Sequence, residues 1–267
     1  FLDAPLGEQV NILNRWQYTD LKKGWVGFGS ISLLQDEKQV GELGFIPEGD
    51  RYENLFWGSQ INTNRIDASL KIGYVFPELS YKSFGFQSAY SNHRQEAFYG
   101  FRNYDIDHQS FYSNLLYNSI IGNTKNKFKL GFNFSYDRYL ETVDAFYFNR
   151  NDISVGSFFE YSYDSLEDFN LVAGIRIDSH NRLGTFVTPR LHLRYLPNET
   201  TIFRISGGSG RKAANIFAEN QTLFGTNRVI NILESGGSIY GLNPEKAWNY
   251  GISIRQIFKL FGRGGDI

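Results

Sequence analysis

Apolar and polar side chains alternate along most of this chain, and the most regular stretch covers residues 127–137. One set there is apolar and the other is polar or charged: Phe128, Leu130, Phe132, Phe134 and Tyr136, against Lys127, Lys129, Asn133, Ser135 and Asp137. Successive side chains of a β-strand point to opposite faces, so this period of two predicts a strand with different surroundings on its two faces. Because the pattern recurs throughout, we expect an all-β protein.

The same pattern, with turn residues between the segments, predicts about eleven antiparallel strands in a single domain over residues 1–267. They are residues 9–19, 25–34, 65–74, 81–90, 109–120, 127–137, 153–163, 171–178, 189–195, 201–206 and 247–258. Short turns at 20–24, 76–78, 122–126, 164–168 and 196–200 alternate with long loops at 35–59, 91–107, 140–151 and from 207 onward. The short link at 180–184 is the exception.

This layout favours a membrane β-barrel over a soluble sandwich. No run reaches the roughly 18 apolar residues that a spanning helix needs, but barrel strands need only alternation. Short turns at one end and long loops at the other are typical of outer-membrane barrels. A water-filled interior also tolerates inward charges such as Lys129, Arg190, Arg194 and Arg204, which a dry core would not. Aromatic residues near strand ends fit an interfacial girdle, although aromatics favour strands in general.

Composition and motifs exclude several classes of function. Lys and Arg total 27 against 28 Asp and Glu, so the net charge of −1 gives no reason to expect nucleic acid as a partner. The chain has no cysteine, which excludes disulfides and thiolate sites. We find no phosphate-binding loop, zinc spacing or nucleophile motif, and the four histidines are scattered. We therefore expect no enzyme activity, no cofactor and no metal site.

Two C-terminal segments, Gly-Arg-Lys-Ala-Ala-Asn-Ile-Phe-Ala-Glu-Asn at 210–220 and Gly-Leu-Asn-Pro-Glu-Lys-Ala-Trp-Asn-Tyr at 241–250, resemble TonB-dependent outer-membrane receptors of the Bacteroidetes type. Residues 170–178 and 188–211 resemble strands of the same family. The resemblance implies a 22-stranded transmembrane barrel closed by a plug, of which eleven strands would be half. We expect neither the plug nor the TonB-contacting segment within this chain, and therefore a longer parent protein.

The family resemblance also implies partners and a location. These are the bacterial outer membrane and its lipid, TonB acting through a segment outside this chain, a transported solute, and a surface lipoprotein in some members. The implied function is energy-coupled uptake of a scarce, bulky solute, with siderophore, cobalamin, glycan and peptide all left open. Two alternatives remain from the sequence: a passive porin or secretion barrel, and a soluble all-β carbohydrate-binding module. An upstream plug domain would distinguish the receptor from a porin, and extraction without detergent would identify the soluble module.

Candidate ligand-binding residues fall in two predicted outer loops. The first combines cationic and aromatic side chains suited to an anionic or aromatic ligand: His93, Arg94, Tyr99, Arg102 and Tyr104. The second matches the family motif: Arg211, Lys212, Asn215, Glu219 and Asn220. For the second group, fixing the base of the loop over the barrel rim is the alternative to ligand contact.

Overall fold

The computed structural model describes residues 5–53, 55–226, 228, 240–260 and 263–266. Within these residues the chain forms thirteen β-strands, two short helices and a 3-10 turn at Gln221–Gly225. The strands are β1 Leu6–Asp20, β2 Trp25–Gly41, β3 Gly58–Val75, β4 Ser83–Tyr99, β5 Arg102–Ile121, β6 Asn123–Val143, β7 Phe146–Tyr147, β8 Arg150–Asp164, β9 Phe169–His180, β10 Gly184–Asn198, β11 Thr201–Lys212, β12 Glu245–Leu260 and β13 Arg263–Asp266. The helices are α1 Pro47–Glu53 and α2 Ile216–Glu219. No helix in these ranges is long and apolar enough to span a membrane.

All the strands belong to one antiparallel sheet in which chain neighbours are spatial neighbours. The order runs from β1 to β6 and from β8 to β13, and the two-residue β7 pairs with β6. The predicted all-β antiparallel fold is confirmed, and each of the eleven predicted strands corresponds to one long strand. In the described part of the chain, β1 and β13 each have a single neighbour, so the sheet has two edges.

The strands extend well beyond the predicted segments at the long-loop end, and several predicted loops are wrong. The expected loop at 91–107 is a hairpin in which only Gly100 and Phe101 separate β4 from β5. Likewise, β2 continues through 35–41, β6 and β8 reach into 140–151, and β11 continues through 207–212. Most of the expected loop at 35–59 lies outside the sheet, and it contains α1. Backbone pairing persists in the extended strands, but polar and apolar side chains are mixed on both faces, so the alternation that identifies a strand in the sequence is lost.

Strand register divides the sheet into an apolar band and a polar margin on the same face. One row across β4, β5, β6 and β8 consists of Tyr90, Phe111, Tyr136 and Ile153. The next row toward the long loops on the same face consists of Asn92, Gln109, Arg138 and Asn151. From Phe128 to Tyr136 the apolar positions of β6 extend ~27 Å along the strand, or ~20 Å across a membrane at the usual tilt. This matches the apolar band of a transmembrane barrel, with the opposite, polar face lining the interior.

Aromatic rings form a nearly continuous ladder along the short-turn edge of the apolar band. Neighbouring ring centroids lie 4.8 to 6.1 Å apart along the series Trp25, Tyr74, Phe76, Phe84, Tyr117, Phe128 and Phe159. Amphipathic rings favour the boundary between the apolar layer and water. The ladder thus marks the second edge of the membrane-facing band.

Candidate functional site

The segment that follows β11 folds back onto the polar face of the sheet at its long-loop end. We call residues 213–226 the strap. Its two phenylalanines, Phe217 and Phe224, are 2% and 1% exposed. Together with Tyr104, Ile106 and Val143 of β5 and β6 they form a buried apolar cluster. We call the polar face of the sheet at this end the wall. The strap is packed against the wall through this small apolar cluster.

Aromatic stacking determines how the strap lies on the wall. The ring of Phe224 stacks on both Tyr104 and Tyr99, at centroid distances of 5.0 and 5.5 Å. Phe217 contacts Phe148 at 5.1 Å and Tyr240 at 5.5 Å. Such pairs add about 0.5–1.5 kcal/mol each beyond the area that they bury. These contacts connect the strap to β4, to β5 and to the link between β7 and β8, and they hold it against the long-loop end of the polar face.

Arg150, the first residue of β8, connects the strap to the wall through charge. Its side chain is 6% exposed and lies 3.7 Å from the carboxylate of Glu141, which is 1% exposed. Its guanidinium also donates to Asp152 at 3.2 Å, to the Tyr240 hydroxyl at 2.7 Å and to the Asn215 side-chain oxygen. One cation thus joins β6 and β8 to the strap and to Tyr240, which lies five positions before the start of β12.

The buried carboxylate of Glu141 is further satisfied by two phenols. The hydroxyl of Tyr104 donates to one of its oxygens at 2.9 Å, and that of Tyr240 donates to the other. Burial, and then the Glu141 charge, raise the pKa of Tyr104; burial and the Glu141 hydrogen bond raise that of Tyr240. Both tyrosines lie outside the apolar band. Their hydroxyls therefore stay protonated at neutral pH and act as hydrogen-bond donors.

Beside this network, three side chains of the wall stack on one another: His108, Tyr139 and Arg150. The imidazole of His108 lies parallel to the ring of Tyr139 at 4.2 Å, and Arg150 lies over the same ring at 3.8 Å. Asp137 holds His108 with a 2.9 Å contact, and burial raises the pKa of Tyr139 to about 12. The arrangement presents a cation, an aromatic ring and an imidazole in sequence, the elements that bind flat or anionic groups.

A small cavity of about 170 Å³ lies between the wall and the strap. Its wall side includes His93, Gln95 and Tyr104, and its strap side includes Asn215 and Gln221. The His93 Nδ1 and Gln95 Nε2 atoms are buried and have no hydrogen-bond partner among the described residues. Burial, then Arg65 and His108, lower the pKa of His93, so it is neutral at pH 7. The cavity can therefore accept a small polar group.

The five residues predicted in the first loop lie on strands, so that prediction of their setting is wrong. Alternation places His93, Tyr99, Arg102 and Tyr104 on the polar face. Arg94 lies on the other face, where it contacts Glu96 at 2.7 Å. Tyr99 and Tyr104 are covered by the strap, and Arg102 lies 3.9 Å from Asp144 and donates to the Arg228 carbonyl. The structure thus brings four of the five together.

The five motif residues mostly bind one another or the wall. Lys212 contacts Glu219 at 2.7 Å, and Glu219 also accepts from the Asn215 amide at 3.2 Å. Asn220 donates to the Ile216 carbonyl at 2.8 Å, and Arg211 lies over the Phe186 ring at 5.0 Å. These contacts support the alternative in which the motif shapes the strap. Whether any of the ten residues contacts a ligand stays a prediction.

Sequence reasoning missed the residues that form the centre of this site: Tyr139, Glu141, Arg150, Asp152, Phe217, Phe224 and Tyr240. They come from distant parts of the chain, and Tyr240 and Glu141 are 99 positions apart. The only local signal was a buried-type residue, Phe217, inside the family motif. Nothing in the alternating pattern marks Arg150 as the partner of Glu141.

Comparison with known proteins identifies the family. The model of the family described as "TonB dependent receptor-like, beta-barrel" matches residues 7–267. No curated protein matches the chain. Among solved structures, the siderophore receptor PirA from Acinetobacter baumannii is similar with a TM-score of 0.68 at 12% identity, over 94% of this chain and 41% of that one.

Two further structures show the same likeness in fold. The siderophore receptor PirA from Pseudomonas aeruginosa aligns with a TM-score of 0.66 at 13% identity, over 99% of this chain and 45% of that one. The ferric citrate transporter FecA aligns with a TM-score of 0.61 at 11% identity, over 95% and 41%. The chain spans less than half of the length of these relatives. It belongs to the TonB-dependent receptor family and forms part of the β-barrel of such a receptor.

Proposed function

We propose that this chain is the wall of an outer-membrane receptor that imports a scarce, bulky solute using energy delivered through TonB. The observation that supports this is the strap, a folded loop bound to the polar, interior face at the long-loop end of a membrane-type sheet. A solute that enters from the long-loop end would meet this loop before it reaches the inner wall. In this proposal no bond is made or broken, so the protein is not an enzyme.

The proposal includes a location and a set of partners. The apolar band faces the lipid of the outer membrane, and TonB acts through a segment of the parent protein outside this chain. A surface lipoprotein is a further partner compatible with the exposed long-loop end, whereas the net charge of −1 does not favour nucleic acid. We further propose that residues 1–267 are a single barrel domain.

For the solute we propose an iron chelate. The similar structures are named as siderophore receptors and a ferric citrate transporter. The wall under the strap offers one cation, Arg102, two phenol rings, Tyr99 and Tyr104, and the neutral imidazole of His93, and the strap adds the Asn215 amide. Together these groups suit a flat, anionic chelate. Arg94 is left out because it lies on the lipid-side face. Since Phe224 covers Tyr99 and Tyr104, contact with the solute requires that the strap moves.

Uptake by cells that carry or lack the full-length gene tests the function. Cells under iron limitation are given ⁵⁵Fe bound to citrate, to a catecholate or to a hydroxamate chelator, with and without a protonophore. We expect accumulation of at least one chelate that needs both the gene and the proton gradient. Uptake that persists with the protonophore would identify a passive porin, and recovery of the protein without detergent would identify a soluble module.

A further inference from the structure

A polar recess lies on the outside of the sheet, on the lipid-side face just beyond the apolar band. The register of β2, β3 and β4 places six side chains there in two rows: Gln35, Asn64 and Arg94, and then Glu37, Asn62 and Glu96. They line a cavity of about 350 Å³, which we call the outer recess. None of these residues has a role in the interior site described above.

The outer recess is bounded on two sides, toward the apolar band and toward the long loops. On the side of the apolar band, the preceding row of the same face holds the register pair Leu33 and Ile66, which are 43% and 48% exposed. On the long-loop side, Phe98 is 3% exposed and is covered by Phe45, at a ring distance of 6.2 Å, and by Arg51, at 4.9 Å from its ring. The loop that carries α1 thus forms a roof over a polar floor that adjoins lipid.

The side chains of the outer recess suit hydroxyl groups. Amide, carboxylate and guanidinium groups offer paired donors and acceptors, and the Asn62 Oδ1 atom is buried with no partner in the described part of the chain. Arg94 and Glu96 are 64% and 57% exposed, and they pair with each other. With Glu37, the recess carries two carboxylates against one guanidinium, a balance that disfavours a bare phosphate and favours an uncharged, hydroxyl-rich group.

We propose that the outer recess binds the sugar headgroup of a glycolipid of the surrounding leaflet, whose acyl chains lie against Leu33 and Ile66. The proposal rests on the outer-membrane location in the proposed function. A headgroup must lie directly beyond the apolar band, which is where the recess begins. Bound there, the lipid would connect the membrane surface to the α1 roof and leave the interior site untouched.

Native mass spectrometry of the delipidated full-length protein tests this surface. The probes are an uncharged glycolipid with a disaccharide headgroup and phosphatidylglycerol of matched acyl length. We expect one glycolipid bound per protein, and at least a tenfold weaker binding after Asn64→Ala with Arg94→Ala. The matched control is Gln109→Ala with Arg138→Ala, again an amide and an arginine paired on the same face but outside the recess; it should change binding less than twofold.

Three outcomes would overturn the proposal: equal binding by both double variants, equal affinity for phosphatidylglycerol, or no bound glycolipid. Fractionation and heat-modifiability on the same preparations separate this failure from that of the proposed function. A protein that behaves as an outer-membrane barrel and imports its solute but binds no glycolipid refutes the recess alone. A protein absent from the outer membrane refutes both.

Discussion

Replacement of Arg150 by leucine should release the strap. The substitution leaves Glu141, 1% exposed, as an unpaired buried carboxylate and removes the donor to Asn215. Loss of one partner of a buried ion pair costs about 3–5 kcal/mol. Because the hydroxyls of Tyr104 and Tyr240 still donate to Glu141, we expect the lower end, about 3 kcal/mol. That corresponds to roughly a 100-fold increase in the open population of the strap.

Hydrogen exchange of the full-length protein in detergent measures this directly. Peptides covering residues 213–226 should exchange about 100-fold faster in Arg150→Leu, while peptides from β3 and β4 within the apolar band should not change. Addition of Glu141→Gln should restore more than half of the protection, because the buried charge is gone and the phenols keep an acceptor. Arg176→Leu is the matched control, since Arg176 holds Asp178 through two 2.7 Å bonds on the same face, away from the strap.

Unchanged protection of the strap in Arg150→Leu would refute the reasoning, because the buried ion pair would then not stabilise the closed strap. Equal release by the Arg176→Leu control would refute it in another way, by showing that any lost charge on the polar face loosens the strap.

Three other substitutions probe separate parts of the structure. Phe224→Ala removes the ring that stacks on Tyr104 and should cost about 3–5 kcal/mol locally, seen as faster exchange of the strap with an unchanged heat-modifiability temperature. His93→Gln should make the stability of the protein less sensitive to acid. Because the pKa of His93 is lowered in the folded state, the unfolded state binds the proton more readily, and stability falls as the pH drops below about 6.5. The unfolding temperature of the variant should therefore depend less on pH in that range. Gly156→Ala places a Cβ 2.1 Å from the Asp178 Oδ1 atom and should lower the unfolding temperature of the barrel by forcing Asp178 aside, whereas Gly210→Ala, with nothing within 4 Å, should not.

The sequence predicted the strands wherever lipid lies on one face and water on the other, because only that contrast produces a period of two. Residues 127–137 show it, and β6 follows it from Phe128 to Tyr136. Beyond the apolar band polar and apolar side chains are mixed on both faces, so the sequence predicts a loop at His93 and Arg102, although both lie on paired strands. The strand continues there because backbone hydrogen bonds do not depend on the contrast.

The strap could not be predicted in the same way, since its anchors are separated along the chain. Arg150 is 65 positions from Asn215 and 90 from Tyr240, and no local pattern connects them. The family motif marked the segment but not its partners on the wall. Local sequence thus identifies a barrel strand by its surroundings, while the interior site depends on contacts that only the register of the whole sheet brings together.

The chemistry of the strap indicates how it would open. On a polar wall a loop competes with water for every hydrogen bond, so it stays attached only where it also excludes water, as Phe217 and Phe224 do. Exclusion of water strengthens the Arg150 contacts beneath and makes a half-broken network costly. The strap should therefore be closed or open as a unit. Under the proposed function, a flat, anionic solute that displaces Phe224 from Tyr104 and competes with Asn215 for Arg150 would remove both supports together. Capture of the solute would then expose the inner wall.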